Sequence, residues 1–201
     1  MKHLMAMVMA VAVTAPLAAQ QRVDYSFEEV RRKVLLTTGE LESRASRGQT
    51  AHGGDTVETG WFSYALIASE RHRAKFEIFS NTDVLLAEGT PGVLLSIERG
   101  RVRAAFDKIT GNETRIVKTP GALLIVRGTK FAVEVTPKGM TTMDVFEGIV
   151  EVRLLIMREP VMVRAGQQTT FGRNEAPVTR PMPEDRRRNG SSNPPRTPVE
   201  N

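Results

Sequence analysis

Side chains capable of acid–base or metal chemistry occur in this 201-residue chain, but their spacing assembles no mechanism. Beyond His3, the histidines are His52, in a polar glycine-flanked loop, and His72, inside Glu70-Arg71-His72-Arg73. Neither stands at a His-x-x-x-His or comparable ligand interval, so both read as solvated and no metal site is expected. The absence of cysteine removes thiolate ligands, cysteine nucleophiles, disulfides and a lipidated cysteine. Phosphate-cradling glycine loops, a Gly-x-Ser-x-Gly elbow and a dinucleotide fingerprint are missing as well. Carboxylates are plentiful near apolar runs, at Asp55, Glu58, Glu77, Asp83, Glu88, Glu134, Asp144 and Glu151. Glycoside hydrolysis needs only two of them at a set separation. Most, however, lie between apolar neighbours on outward strand positions, where carboxylates solubilise. The expectation is therefore a protein that is not an enzyme, with no catalytic residues and no cofactor. Hydrolysis by a carboxylate pair is the lesser alternative.

What remains is chemistry of binding. Trp61 and Tyr64 follow a glycine turn, and aromatic faces at a loop can hold sugar rings or a protein partner. A single tryptophan is more often a plug at the end of a core, and that is the expectation for Trp61. Arg71, Arg73 and Lys75 alternate and so can share one face as a stripe for acidic polymer, although Glu70 and Glu77 dilute it. The pI near 9.9 is compatible with nucleic acid, but a net charge of only +5 with acids mixed among the bases, on a chain expected to be exported, argues for no nucleic acid. The partners expected are an envelope protein or a cell-wall glycan.

The export signal is the uncharged 16-residue stretch Leu4 to Ala19 behind Met1-Lys2-His3. It is shorter than the about 20 residues that span a bilayer and ends in small residues, so residues 1–19 read as a signal peptide and no stable membrane span is expected after cleavage. Residues 20–36 read as an amphipathic helix and linker, because Phe27, Val30 and Val34 are spaced by three and four, behind Glu28-Glu29. From residue 37 to 171 short apolar runs alternate with Gly, Pro, Asn and Asp. Candidate strands are 62–68, 74–79, 84–87, 93–97, 102–106, 115–118, 123–126, 131–135, 141–146, 150–155 and 161–164. Such spacing predicts an all-β domain, an antiparallel β-sandwich or barrel, with a short stacked β-solenoid as alternative. Thr90-Pro91-Gly92-Val93-Leu94-Leu95 is echoed by Thr119-Pro120-Gly121-Ala122-Leu123-Leu124, each copy leading to a second turn at Gly100 or Gly128. Residues 172–201, rich in Pro and Arg, read as a disordered tail.

Four segments in order carry a family resemblance. Gly54-Asp55-Thr56-Val57-Glu58-Thr59-Gly60, Val126-Arg127-Gly128-Thr129-Lys130-Phe131-Ala132-Val133, Val145-Phe146-Glu147-Gly148-Ile149-Val150-Glu151-Val152 and Arg164-Ala165-Gly166-Gln167-Gln168 resemble the successive motifs of FecR-type domains. The physical reading is structural. Gly60, Gly128 and Gly148 are expected where strands reverse and φ is positive, Thr59 and Thr129 are expected to bond nearby backbone, and Phe131 points inward. The resemblance implies a jelly-roll type of sandwich and carries over no catalytic residue. Its best-known members are membrane regulators that bind a sigma factor. With only three residues before the apolar leader, this chain resembles the stand-alone exported members instead, which implies a binding or scaffolding role in the envelope, with signalling as its context.

Overall fold

The computed structural model describes residues 23–86, 91–108 and 113–191. The expected leader, Glu88, Thr90 of the echo and residues 192–201 of the expected tail lie outside the described residues. In chain order the elements are β1 (Asp24–Arg31), β2 (Val34–Thr38), β3 (Leu41–Arg44), β4 (Thr50–His52), β5 (Thr56–Thr59), β6 (Tyr64–Ser69), β7 (Ala74–Ile78), β8 (Thr82–Leu86) and β9 (Val93–Phe106). There follow β10 (Arg115–Thr119), β11 (Ala122–Val126), β12 (Lys130–Val135), β13 (Thr141–Glu147), β14 (Ile149–Leu154), β15 (Val161–Arg164), β16 (Gln167–Phe171), β17 (Val178–Pro181) and the short helix α1 (Glu184–Ser191). The protein is thus mainly β, and its described residues form a single 17-stranded network in which only the β9–β10 pairing is parallel.

The network consists of two ladders that share β9. The first runs β4-β1-β6-β7-β9-β12-β13-β16-β17. The second runs β3-β2-β5-β8-β9-β10-β11-β14-β15. Alternate residues of both ladders enter one core, because a strand turns successive side chains to opposite faces. Val57, Val84, Leu124, Val150 and Val163 come from the second ladder, and Phe27, Ile67, Phe76, Phe131 and Val145 from the first. Tyr25, Phe76, Phe106 and Phe131 form a chain of ring contacts across the first ladder, ending in a Phe106–Phe131 stack at 6.1 Å. The buried Tyr25 hydroxyl donates to the Leu94 carbonyl and so ties β1 to the far half of β9.

Three expectations are corrected here. The N-terminal helix is absent, since residues 24–38 form β1 and β2. A register shift between Phe27 and Glu29 inserts one extra residue, and such a bulge stretches an alternating pattern to a spacing of three. The turn at Arg32, with φ of 62°, then separates Val30 from Val34 by four, so bulge plus turn imitate helical spacing. Gly100 is not a turn between two strands either: β9 runs through it with φ of 92°. A Cβ there would lie 2.3 Å from Thr82 Oγ1 and 2.5 Å from its Cα, so only glycine lets β9 bend against β8 and pass from the second ladder to the first.

The third correction concerns the tail, whose first part is ordered. Backbone pairing needs no apolar pattern, and β17 joins β16 although all four of its side chains are exposed. Met182 is buried beside it, and Arg186 of α1 donates to Glu134 Oε2 at 3.1 Å and to Asp144 Oδ2 at 3.4 Å. A second guanidinium of the helix, Arg187, donates to the Gly166 carbonyl at 3.4 Å, so a polar helix is fixed to the sheet by its arginines. No described helix is long and apolar enough to cross a membrane.

Candidate functional site

The motif residues singled out in the sequence are used up in turns and core. Asp55 is buried, and its Oδ2 accepts from the His52 amide at 2.8 Å, closing the turn in which Gly54 takes φ of 97°. Thr59 Oγ1 donates to the Phe79 carbonyl at 2.5 Å and accepts from the Thr82 amide at 3.0 Å. Gly128 and Gly148, twenty residues apart in sequence, meet in space. Each has positive φ, and a Cβ on Gly148 would lie 2.7 Å from the Gly128 carbonyl oxygen and 2.9 Å from Thr129 Cγ2. Two local expectations fail. Gly60 lacks a positive φ, because Phe62 two residues on takes the left-handed conformation instead. Thr129 Oγ1 is buried without a hydrogen-bond partner among the described residues, its Cγ2 lying on the side of Gly148. Gly166 turns with φ of 81° between β15 and β16 and accepts from the Met182 amide at 2.8 Å. Arg127 is exposed beside Gly128 and Phe131 is fully buried.

Most of the carboxylates are likewise engaged. Glu77 accepts from Arg103 and Tyr64, Asp83 pairs with Arg99, Glu151 with Arg153, and Glu134 and Asp144 share Arg186. Glu134 and Asp144 are thus tied to one guanidinium, Arg186 Nη1 at 3.1 and 3.4 Å. Among the described residues no group of His, Cys, Asp or Glu could hold a metal ion.

Trp61 is not the core plug the sequence suggested. It is 77% exposed and Phe62 is 73% exposed, because the turn joining β5 and β6 projects both rings beyond the strand ends. Three non-glycine residues of this tip, Arg32, Phe62 and Asn81, have φ of 62°, 52° and 55°. Their turns are stitched together: the Gly60 amide donates to the Lys33 carbonyl, the Asn81 amide to the Gly60 carbonyl, and the Lys33 amide to Ser63 Oγ. Tyr64, by contrast, is buried, and burial followed by the neighbouring Glu77 raises its phenol above the ordinary range.

The basic stripe lies elsewhere. Arg71 and Arg73 sit on the turn between β6 and β7, at the opposite end of that hairpin from Trp61. A six-residue strand at about 3.3 Å per residue separates the ends by roughly 20 Å. Lys75 Nζ is bonded to Glu28 at 2.8 Å. Trp61 and the stripe therefore do not form one composite glycan site, because a β-strand carries its two ends apart.

Sequence reading missed the free edge of β15. Among the described strands four end a ladder, and three of these edges are blunted: β4 has three residues, β17 contains Pro181, and β3 carries Glu42 and Arg44. β15 reads Val161-Met162-Val163-Arg164. Arg164 donates its amide to Gln167 Oε1 rather than to β14, so by strand alternation Met162 also turns its N–H and C=O outward. Met162 stands opposite Glu151, with Ile149 two positions along the same face, and both apolar side chains are exposed. The connecting turn adds Leu155, Ile156 and Met157, exposed to 75%, 49% and 40%. An apolar triplet before Pro160 was the available signal, hidden because it continued an apolar strand.

Residues 55–151 match the family model described as FecR protein. No curated protein matches the chain. Two crystal structures of a "putative anti-sigma factor" from Parabacteroides distasonis ATCC 8503, at 2.50 and 1.65 Å resolution, resemble it with TM-scores of 0.53 and 0.51 at 16% and 15% identity. Each alignment covers 63% of this chain and 59% of that chain. The chain thus spans about three fifths of the length of the structures it matches, and the likeness is one of fold.

Proposed function

This chain carries a FecR domain over residues 55–151, and from that premise we propose a non-enzymatic envelope module that works in signalling by accepting a strand of a protein partner along β15. The observation that carries the reading is the bare apolar edge: outward backbone groups at Met162 flanked by Ile149 and the Leu155-Ile156-Met157 turn. An added strand gains backbone hydrogen bonds from such an edge, and the flanking side chains select its sequence. The motif glycines and threonines, being occupied in turns, leave no chemistry that competes with this role. We read the two ladders as the faces of a jelly-roll type of sandwich, the leader as an export signal and the site of action as periplasmic or extracellular. The described anti-sigma relatives of the fold support a signalling context.

The test is Met162→Pro in the full chain. Proline removes an N–H that faces the free edge and is tolerated in edge strands, so folding is retained. Cross-linking mass spectrometry on envelope fractions is expected to place a partner on residues 149–164 of the native protein and to lose it in the variant. Leu41→Ser, on the opposite edge of the same ladder, keeps it. Cross-links that map elsewhere, or that survive Met162→Pro unchanged, refute strand addition at β15.

A further inference from the structure

The Trp61–Phe62 tip is a second surface, distinct from β15, and its chemistry differs from that of an edge. Two aromatic side chains about three-quarters exposed (77% and 73%) stand at the end of the molecule. Around their base lie Arg32, Lys33 and Arg44, all exposed and without a carboxylate partner among the described residues. Of the nearby acids, Glu29 is paired with Arg31, Glu77 with Arg103 and Asp83 with Arg99, and the three bases outnumber Glu58, which lies across Leu35 from Arg44. The tip is therefore an apolar wedge within a cationic collar.

The geometry favours one kind of occupant. The two rings are tilted by 49° with centroids 6.5 Å apart, and the Arg32 guanidinium sits 5.7 Å over Phe62. A sugar ring stacks on a flat exposed face; tilted rings with one face capped by a cation form a wedge instead. Tryptophan and phenylalanine wedges seat at the boundary between acyl chains and headgroups, and cations at their base meet lipid phosphates. The fold also holds the wedge rigidly. Arg44 Nη2 donates to the Arg32 carbonyl at 3.1 Å, and the three left-handed turns are hydrogen-bonded to one another. Strained backbone of this kind persists where the surrounding structure over-determines it, which is common at binding sites. We propose that the Trp61–Phe62 tip docks the protein on an anionic lipid surface, with Arg32, Lys33 and Arg44 on the headgroups.

Trp61 is the only tryptophan of the chain, so its emission reports this site alone, and residues 1–19 cannot contribute to it. Purified full-length protein is titrated with vesicles of phosphatidylglycerol and phosphatidylcholine in equal parts, and with phosphatidylcholine alone. The expected result is a blue shift and protection from acrylamide with the anionic vesicles, weakened by added salt. Arg32→Gln and Lys33→Gln each lower partitioning about fivefold, and Phe62→Ala lowers it about tenfold. Unchanged emission with anionic vesicles overturns the proposal. A shift produced by soluble peptidoglycan fragments but not by vesicles overturns it in favour of a glycan surface. An equal response to both lipid compositions, unaffected by Arg32→Gln, overturns it too, since the association then needs neither anionic headgroups nor the cationic collar.

Discussion

Replacing Gly148 by alanine tests whether the family motif is structural. Gly148 has φ of 79°, where an L side chain costs about 1 kcal/mol. Its added Cβ would approach the Gly128 carbonyl oxygen to 2.7 Å and Thr129 Cγ2 to 2.9 Å. Backbone oxygen cannot rotate away, so the two turns must separate, at a further cost of about 1–3 kcal/mol. The sum is about 2–4 kcal/mol, a large share of the roughly 5–15 kcal/mol that holds a domain of this size. Gly39 supplies the control, because its φ is 60° but nothing lies within 4 Å of a Cβ there. Gly39→Ala is expected to cost only the conformational part, about 1 kcal/mol. Equilibrium urea unfolding of both variants, with equal slopes, isolates the contact as the difference between them. If both lose the same stability within about 0.5 kcal/mol, a difference below ordinary extrapolation error, the Gly128–Gly148 approach constrains nothing and the motif needs another explanation.

Phe62→Gly is expected to raise stability by up to about 1 kcal/mol, since it relieves a left-handed phenylalanine, while weakening the vesicle response about tenfold; thermal melts and Trp61 emission check both, and a loss of stability counts against strain at the tip. The two tyrosines of the chain, Tyr25 and Tyr64, are both buried, and their phenols are raised above the ordinary value of 10.0. Their folded protons are retained where the unfolded chain would release them, so this contribution to stability is intact below pH about 10 and declines as pH rises further. Tyrosinate absorbance is accordingly expected to appear together with loss of the fold, and a gradual titration near the ordinary value refutes it. Arg186→Ala leaves the Asp144 carboxylate, only 3% exposed, with Gln168 as its remaining hydrogen-bond partner among the described residues. A loss of about 1–3 kcal/mol follows, with faster proteolysis at Arg187 and Arg188 if α1 is released.

Features that depend on neighbours in the chain are legible in the order of its residues. Alternation in Phe131, Val133 and Val135 marked β12, and 161–164 was placed as β15 with its bounds intact. The same local reading misjudged Phe27, Val30 and Val34, because a bulge and a turn imitated helical spacing, and it ended a strand at Gly100, because a glycine needed for close packing looks the same as one needed for a turn. It recognised the motif glycines but not that Gly128 rests on Gly148. It singled out Trp61 but read it as a core plug, whereas the ring stands exposed at the tip. Which turns share an end follows from strand pairing in space, which places Arg32, Phe62 and Asn81 together and Arg71 and Arg73 at the far end of the same hairpin. The fold alone shows that β15 lies at an edge and that Arg186 reaches β12 and β13. The physical reason is the same in each case: alternation, turn chemistry and charge act within a few residues, whereas register, edges and the meeting of turns depend on pairings between distant segments, which no local pattern encodes.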